Sequence, residues 1–190
     1  MQINDPRSGM AADVNEEGQL KTRSIASSFH YAAAEDGTAY IADTDFMALT
    51  SGAQRGILEL KGSATSAMTH TRLITMQSTA DVKWRLILSE SGGAVTTSGT
   101  ALTPQNMKRG SGNTYSGTLF KGSNAIAVSG GSVVMTGLSG ANRPCVFDFQ
   151  ETLILGKSQK WTLSAEVVSA GGDVSAGVQF YEHDAIKGEY

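Results

Sequence analysis

Residues 160–182 read KWTLSAEVVSAGGDVSAGVQFYE. In the first half Trp161, Leu163, Ala165 and Val167 alternate with Thr162, Ser164 and Glu166. In the second, Val174, Ala176, Val178 and Phe180 take every other position. Successive side chains of an extended chain point to opposite faces, so each half predicts a strand with one buried face. Gly171-Gly172-Asp173 between them supplies the backbone freedom of a reversal. The expected unit is a β-hairpin.

The same period extends upstream. Val82, Trp84, Leu86 and Leu88 alternate with Lys83, Arg85 and Ile87, predicting a strand over 82–89 next to one over 72–77. A long strand is expected over 146–155, with a turn at Gly156-Lys157-Ser158-Gln159. Shorter strands are expected over 38–42, 46–50, 56–61, 117–121, 125–129 and 132–136, with loops over 96–116 and 137–144. Residues 20–29 read as a first strand. A helix through Ile25, Phe29 and Ala33 competes there, because i, i+4 spacing also fits. Trp84 and Trp161 lie on apolar alternating faces and are expected in the core.

Composition agrees with strands and tight turns. The 190 residues hold 22 Gly and 3 Pro, and only 17% are charged, too few for surface helices laced with Glu and Lys. The fold class expected is all-β, a sandwich, of which the jelly roll is one form. A chain of this length buries roughly 70% of its unfolded surface and needs no metal or disulfide staple.

Residues 1–18, MQINDPRSGMAADVNEEG, differ from the rest. Asn4-Asp5-Pro6 signals a turn, Gly9 and Gly18 interrupt, and apolar residues are isolated. The organisation expected is an extended arm over 1–18 followed by a sandwich domain over 19–190. Ile3, Met10 and Val14, with Arg7, suit a chain laid in a groove that orders on a partner surface. The segment lacks the apolar core of a signal peptide, so synthesis in a cytoplasm is expected. No run approaches the roughly 20 apolar residues of a membrane helix.

The search for chemistry is mostly exclusion. The net charge of −3 gives no footprint for nucleic acid, and Lys108-Arg109 is the nearest approach to a basic patch. Cys145 is the single cysteine, so no intrachain disulfide forms; it is expected to pack as a small hydrophobe. His30, His70 and His183 have no metal-ligand spacing and are expected on exposed or edge positions. Asp13-Val14-Asn15-Glu16-Glu17-Gly18 starts like a calcium loop, but Ser24 stands where a bidentate Glu is required. Gly156-Lys157-Ser158 lacks the upstream glycine and the helix of a phosphate loop. Gly137-Leu138-Ser139-Gly140-Ala141 misses the last glycine of a nucleophile elbow. The reading is a protein without catalytic residues, metal or cofactor.

Several stretches together resemble a known family: Gly18-Gln19-Leu20-Lys21-Thr22-Arg23-Ser24-Ile25 after the polar arm, Asp36-Gly37-Thr38-Ala39-Tyr40-Ile41, Gly56-Ile57-Leu58-Glu59-Leu60-Lys61, the loop Pro104-Gln105-Asn106-Met107-Lys108-Arg109-Gly110-Ser111, and the end from Leu153 through Trp161 to Phe180-Tyr181-Glu182. Over roughly residues 13–183 the chain is similar to capsid decoration (cement) and head-fibre-type proteins of tailed bacteriophages. Met107-Lys108 departs from the second Asn expected after Asn106. The resemblance implies a jelly-roll sandwich, a homotrimer, the major capsid protein as partner and a place on the virion surface. The contact residues nominated are Ile3, Arg7, Met10, Val14, Asn106, Lys108 and Arg109. The alternative is a carbohydrate- or receptor-binding sandwich of a phage tail or fibre, presenting Tyr31, Tyr40, Tyr115 and Tyr181 on one face.

Overall fold

The structure, a computed structural model, describes residues 2–4, 11–14, 20–21, 29–64, 67–89, 99–128 and 130–184. In chain order the elements are β1 (Gln2–Asn4), β2 (Ala11–Val14), β3 (Leu20–Lys21), α1 (Phe29–Asp36), β4 (Ala39–Asp43), β5 (Met47–Leu49), β6 (Gln54–Lys61), β7 (Ala67–Ser78) and β8 (Val82–Ser89). There follow β9 (Thr100–Leu102), β10 (Gln105–Asn106), β11 (Thr118–Lys121), β12 (Ser132–Ser139), β13 (Cys145–Leu155), β14 (Lys160–Val167) and β15 (Gly172–Asp184).

Two antiparallel sheets pack face to face. One runs β10-β4-β15-β7-β13, with β5 also pairing β15; the other runs β12-β8-β14-β6-β11-β9. Between them lie Trp84, Trp161, Phe180, Ile57, Leu58, Leu60, Ile74, Leu86 and Leu163, all fully buried. Side chains from two inner faces interdigitate in this way in a β-sandwich. The all-β sandwich is therefore the architecture of the protein, and both tryptophans are core residues. Each indole N–H still needs an acceptor when buried: Trp161 donates to Thr71 Oγ1 at 2.9 Å and Trp84 to Ser139 Oγ at 2.8 Å.

The expected hairpin is not formed. β14 lies between β6 and β8 in one sheet, while β15 lies between β4 and β7 in the other. The turn between them carries the chain across the sandwich, so their two apolar faces meet across the core instead of side by side. The connections β7–β8, β12–β13 and β13–β14 cross in the same way. Alternation reports one buried face per strand and is silent on which neighbour completes the ladder.

Other boundaries differ too. Where a strand over 20–29 was expected, Leu20–Lys21 is extended, residues 22–28 lie outside the described residues, and Phe29–Asp36 is helical, so the competing helical spacing prevails from Phe29 onward. The 96–116 stretch contains β9 and β10. Among the described residues of 125–129, Ala127 alone makes a β-bridge, to Arg55. β12 runs through Gly137 to Ser139 and shortens the loop expected there. Near the N-terminus β1, β2 and β3 pair as a small antiparallel sheet; the 18/19 boundary drawn from sequence falls between its last two strands.

On the outer face of the second sheet, polar side chains form a ladder. Arg85 pairs with Glu166 at 2.8 Å and reaches Gln54 at 2.7 Å. Buried Glu59 accepts from Thr162 at 3.0 Å and faces Lys160 at 3.4 Å. A carboxylate taken out of water requires such partners. Among the described residues no helix is long and apolar enough to cross a membrane.

Candidate functional site

Two features stand apart from the core: an apolar lateral edge, and a cluster of histidines and tyrosine at one end of the first sheet.

The edge follows from topology. β12 ends one sheet and β13 ends the other, and the two run beside each other. At one end Gly137 faces Phe147 and Cys145 so closely that a methyl group there would overlap both. At the other, Ser132 and Ile154 both line a cleft of about 400 Å³. Outward from these strands project Val133, Val134, Val146 and Ile154, each about half exposed, and Leu138, which is 75% exposed. β12 reads SVVMTGLS and carries no charge. Unpaired edges are usually guarded by Lys, Pro or bulges. β12 has one irregularity, between Val133 and Met135, and neither of the other guards.

The cluster is built by a bulge. In β13 the register jumps between Asp148 and Leu153, and Gln150 and Glu151 take positive φ of 46° and 71°. Asp148 Oδ1 accepts the Gln150 N–H at 3.0 Å and steadies the turn. The bulge delivers Glu151 to the start of α1, where Glu151 Oε1 accepts the His30 N–H at 3.1 Å. A carboxylate there satisfies one of the unpaired first-turn donors of the helix. The Glu151 carbonyl faces His70 Nδ1 at 3.2 Å, and the Tyr181 hydroxyl bonds the Glu151 side chain. Tyr181 stacks on His70 with ring centroids 4.7 Å apart and meets His30 edge-on at 6.0 Å. His70 and His183 meet through their Nε2 atoms at 2.7 Å. α1 covers this group with Ala33 and Ala34.

His30 and His70 are thus buried and His183 is half-buried, correcting the expectation of exposed or edge histidines. Tyr40 and Tyr181 are buried and Tyr115 half-buried, so of the four tyrosines nominated for stacking only Tyr31 is exposed. Tyr40, Tyr115 and Phe180 instead pack on one another at 4.8–5.8 Å. A tyrosine has an apolar body to bury as well as a polar tip, and the sandwich buries it.

Burial sets the ionisation of these groups. The His30 pKa is lowered, first by burial and then by the Arg72 guanidinium, against the opposing pull of Glu151. Arg72 Nη1 lies 3.3 Å from His30 Nδ1. Since guanidinium only donates, Nδ1 is the acceptor and the His30 proton sits on Nε2. That atom is buried and has no hydrogen-bond partner among the described residues. Burial pushes the Tyr181 phenol up to about 12, and Glu151 adds to the shift. The Tyr115 phenol is raised further, again chiefly by burial, while donating to Lys61 O at 2.7 Å. A group whose folded pKa is raised gives stability that is complete below its unfolded value, about 10 for tyrosine, and is lost above it. Stability is therefore expected to fall from about pH 10 upward, Tyr115 alone contributing up to about 1.4 kcal/mol per pH unit. Urea midpoints at pH 8 and 11 check this; equal midpoints would contradict it.

Of the nominated contact residues, Asn106 is a structural clamp. Its Nδ2 donates to Gly37 O at 2.7 Å and Asn113 O at 3.2 Å, and its Oδ1 accepts the Lys108 N–H at 2.8 Å. Lys108 and Arg109 are exposed on the turn it holds. Ile3 lies on β1 opposite Ala12 and Val14 on β2 opposite Leu20. Arg7 and Met10 lie outside the described residues. The Gly156-Lys157-Ser158 stretch is the turn from β13 to β14, closed by Gln159 Oε1 accepting the Gly156 N–H at 2.9 Å. Cys145 is half-buried against the core and burial raises its thiol pKa. Among the described residues no three His, Cys, Asp or Glu side chains are placed to hold a metal ion. Neither the edge nor the histidine cluster was foreseen from sequence. The uncharged apolar run Val133-Val134 was the one local sign of the edge. Set against family models, curated proteins and solved structures, the chain matches none of them.

Proposed function

We propose that the protein is a non-enzymatic virion component that decorates and stabilises a tailed-phage capsid, binding its outer surface as a homo-oligomer, with a trimer as the expected state. The observation that supports this reading most is the apolar, uncharged edge strand β12. Long, uncharged, apolar edge strands aggregate unless another surface covers them, and closed symmetry is the usual arrangement of covering copies. The partners proposed are the major capsid protein and further copies of this chain.

A second reading, glycan or receptor binding, is favoured by a polar cleft of about 490 Å³ lined by Thr38, Asn113, Thr114, Ser116, Glu182 and His183. Hydroxyl, amide and carboxylate groups of this kind orient polar ligands.

The two separate on one substitution. Leu138→Lys sits on the edge, far out in solvent, and should change stability by less than about 0.5 kcal/mol. Light scattering at micromolar concentration is expected to show an oligomer of the 19.9 kDa chain for the native sequence and a monomer for the variant. Capsid shells should retain the first and lose the second. A native protein that is monomeric and ignores shells, but is retained on a glycan matrix, would replace the first reading with the second.

A further inference from the structure

We propose that His70 and His183 form a proton-sensitive latch that holds the end of β15 and helix α1 closed at neutral pH and releases them in acid. The hydrogen bonds assign the protons. A carbonyl only accepts, so the contact between His70 Nδ1 and Glu151 O places a proton on His70 Nδ1. Neutral His70 then offers a lone pair at Nε2, and His183 Nε2–H donates to it across 2.7 Å. This bond needs one of the two Nε2 atoms to stay without a proton. A proton placed on His70 Nε2 would meet the N–H of His183 head-on. Two imidazolium rings with centroids 4.7 Å apart cannot keep the contact.

The surroundings favour release. From β7, Arg72 adds a positive charge beside His30. From α1, His30 presents its buried Nε2–H, and Glu35 and Asp36 are exposed, Glu35 pairing with Tyr31. From β15, Tyr181 stacks on His70, while Glu182 bonds Ser116 through N–H at 3.0 Å and hydroxyl at 2.5 Å. From β13, Glu151 is an opposing carboxylate, already shared by the His30 N–H and the Tyr181 hydroxyl. The lowered His30 pKa acts with the same sign: stability is complete above the unfolded value of about 6.5 and is lost as pH falls below it. Tyr181, between His30 and His70, ties the two events to one element. The pair is a proton site and not a metal site: ligands about 2.0–2.1 Å from a tetrahedral ion lie more than 3 Å apart.

His183→Gln tests the latch, because glutamine keeps a donor near the Nε2 position and can turn its carbonyl toward a protonated His70. Hydrogen exchange of the α1 and 181–184 amides, corrected for intrinsic rates, is expected to speed up about tenfold between about pH 7.5 and 5 in the native protein and less than about threefold in His183→Gln. His70→Gln should behave like His183→Gln and serves if the first variant fails to fold. His30→Gln should retain the acid step, reduced. The proposal is overturned if the native protein shows no step or if both glutamine variants open like the native one. It is also overturned if zinc raises the melting temperature, chelator reverses that rise, and the pH response of this end disappears with zinc bound.

Discussion

Trp161→Ala is expected to remove about 3–5 kcal/mol of stability, which would bring a domain of this size close to unfolding at room temperature. Trp161 is fully buried on the central strand β14, opposite Leu60 on one side and Leu88 on the other. Its ring fills the middle of the core and its N–H is the partner of Thr71, also fully buried. Truncation leaves a cavity and an unpaired hydroxyl, the second accounting for about 1–3 kcal/mol of that total where the group cannot find water. Trp161→Phe retains much of the volume and should lose about half as much. Denaturant midpoints at constant slope measure both. An alanine variant within about 1 kcal/mol of the native protein would show that the two sheets do not close on this residue.

Gly122→Ala is expected to cost about 3 kcal/mol or more, although alanine is ordinarily mild. Gly122 follows β11 and donates its N–H to Ile57 O at 2.8 Å, and Gly56 in turn donates to Ile126 O at 3.0 Å. These bonds bring the backbone of 122–126 onto the irregular part of β6, and a methyl group at 122 would overlap the Gly56 carbonyl. The obstacle is backbone against backbone, so no rotamer change relieves it. Gly110, at positive φ with open space around it, is the control: Gly110→Asn should cost well under 1 kcal/mol, because asparagine tolerates that conformation. Thermal melts of the two variants side by side give the contrast. Similar melting temperatures would mean that the 122–126 strap can lift from β6.

The amino-acid sequence by itself determined the long alternating strands β8, β14 and β15 and which side of each is buried. β8 begins and ends where its alternation does, at Val82 and Ser89, and Trp84 and Trp161 lie in the core as their positions require. Alternation is a property of one chain segment, and water enforces it wherever that segment is placed. Tertiary structure decided the rest. Residues 160–182 contain two strands and a glycine turn under either topology. A hairpin and a crossover demand the same alternation, and only the available neighbours, β6 and β8 for one strand and β4 and β7 for the other, separate them. The histidine cluster was equally out of reach: His70 and His183 are 113 positions apart and His30 and Glu151 are 121 apart. Their meeting depends on the pairing of β7 with β15 and on a bulge in β13. The edge shows the same division. Val133 and Val134 read as part of an apolar strand in either setting, while Leu138 was expected in a loop and lies on the same strand. They face solvent because β12 has a neighbour on one side and, among the described residues, none on the other.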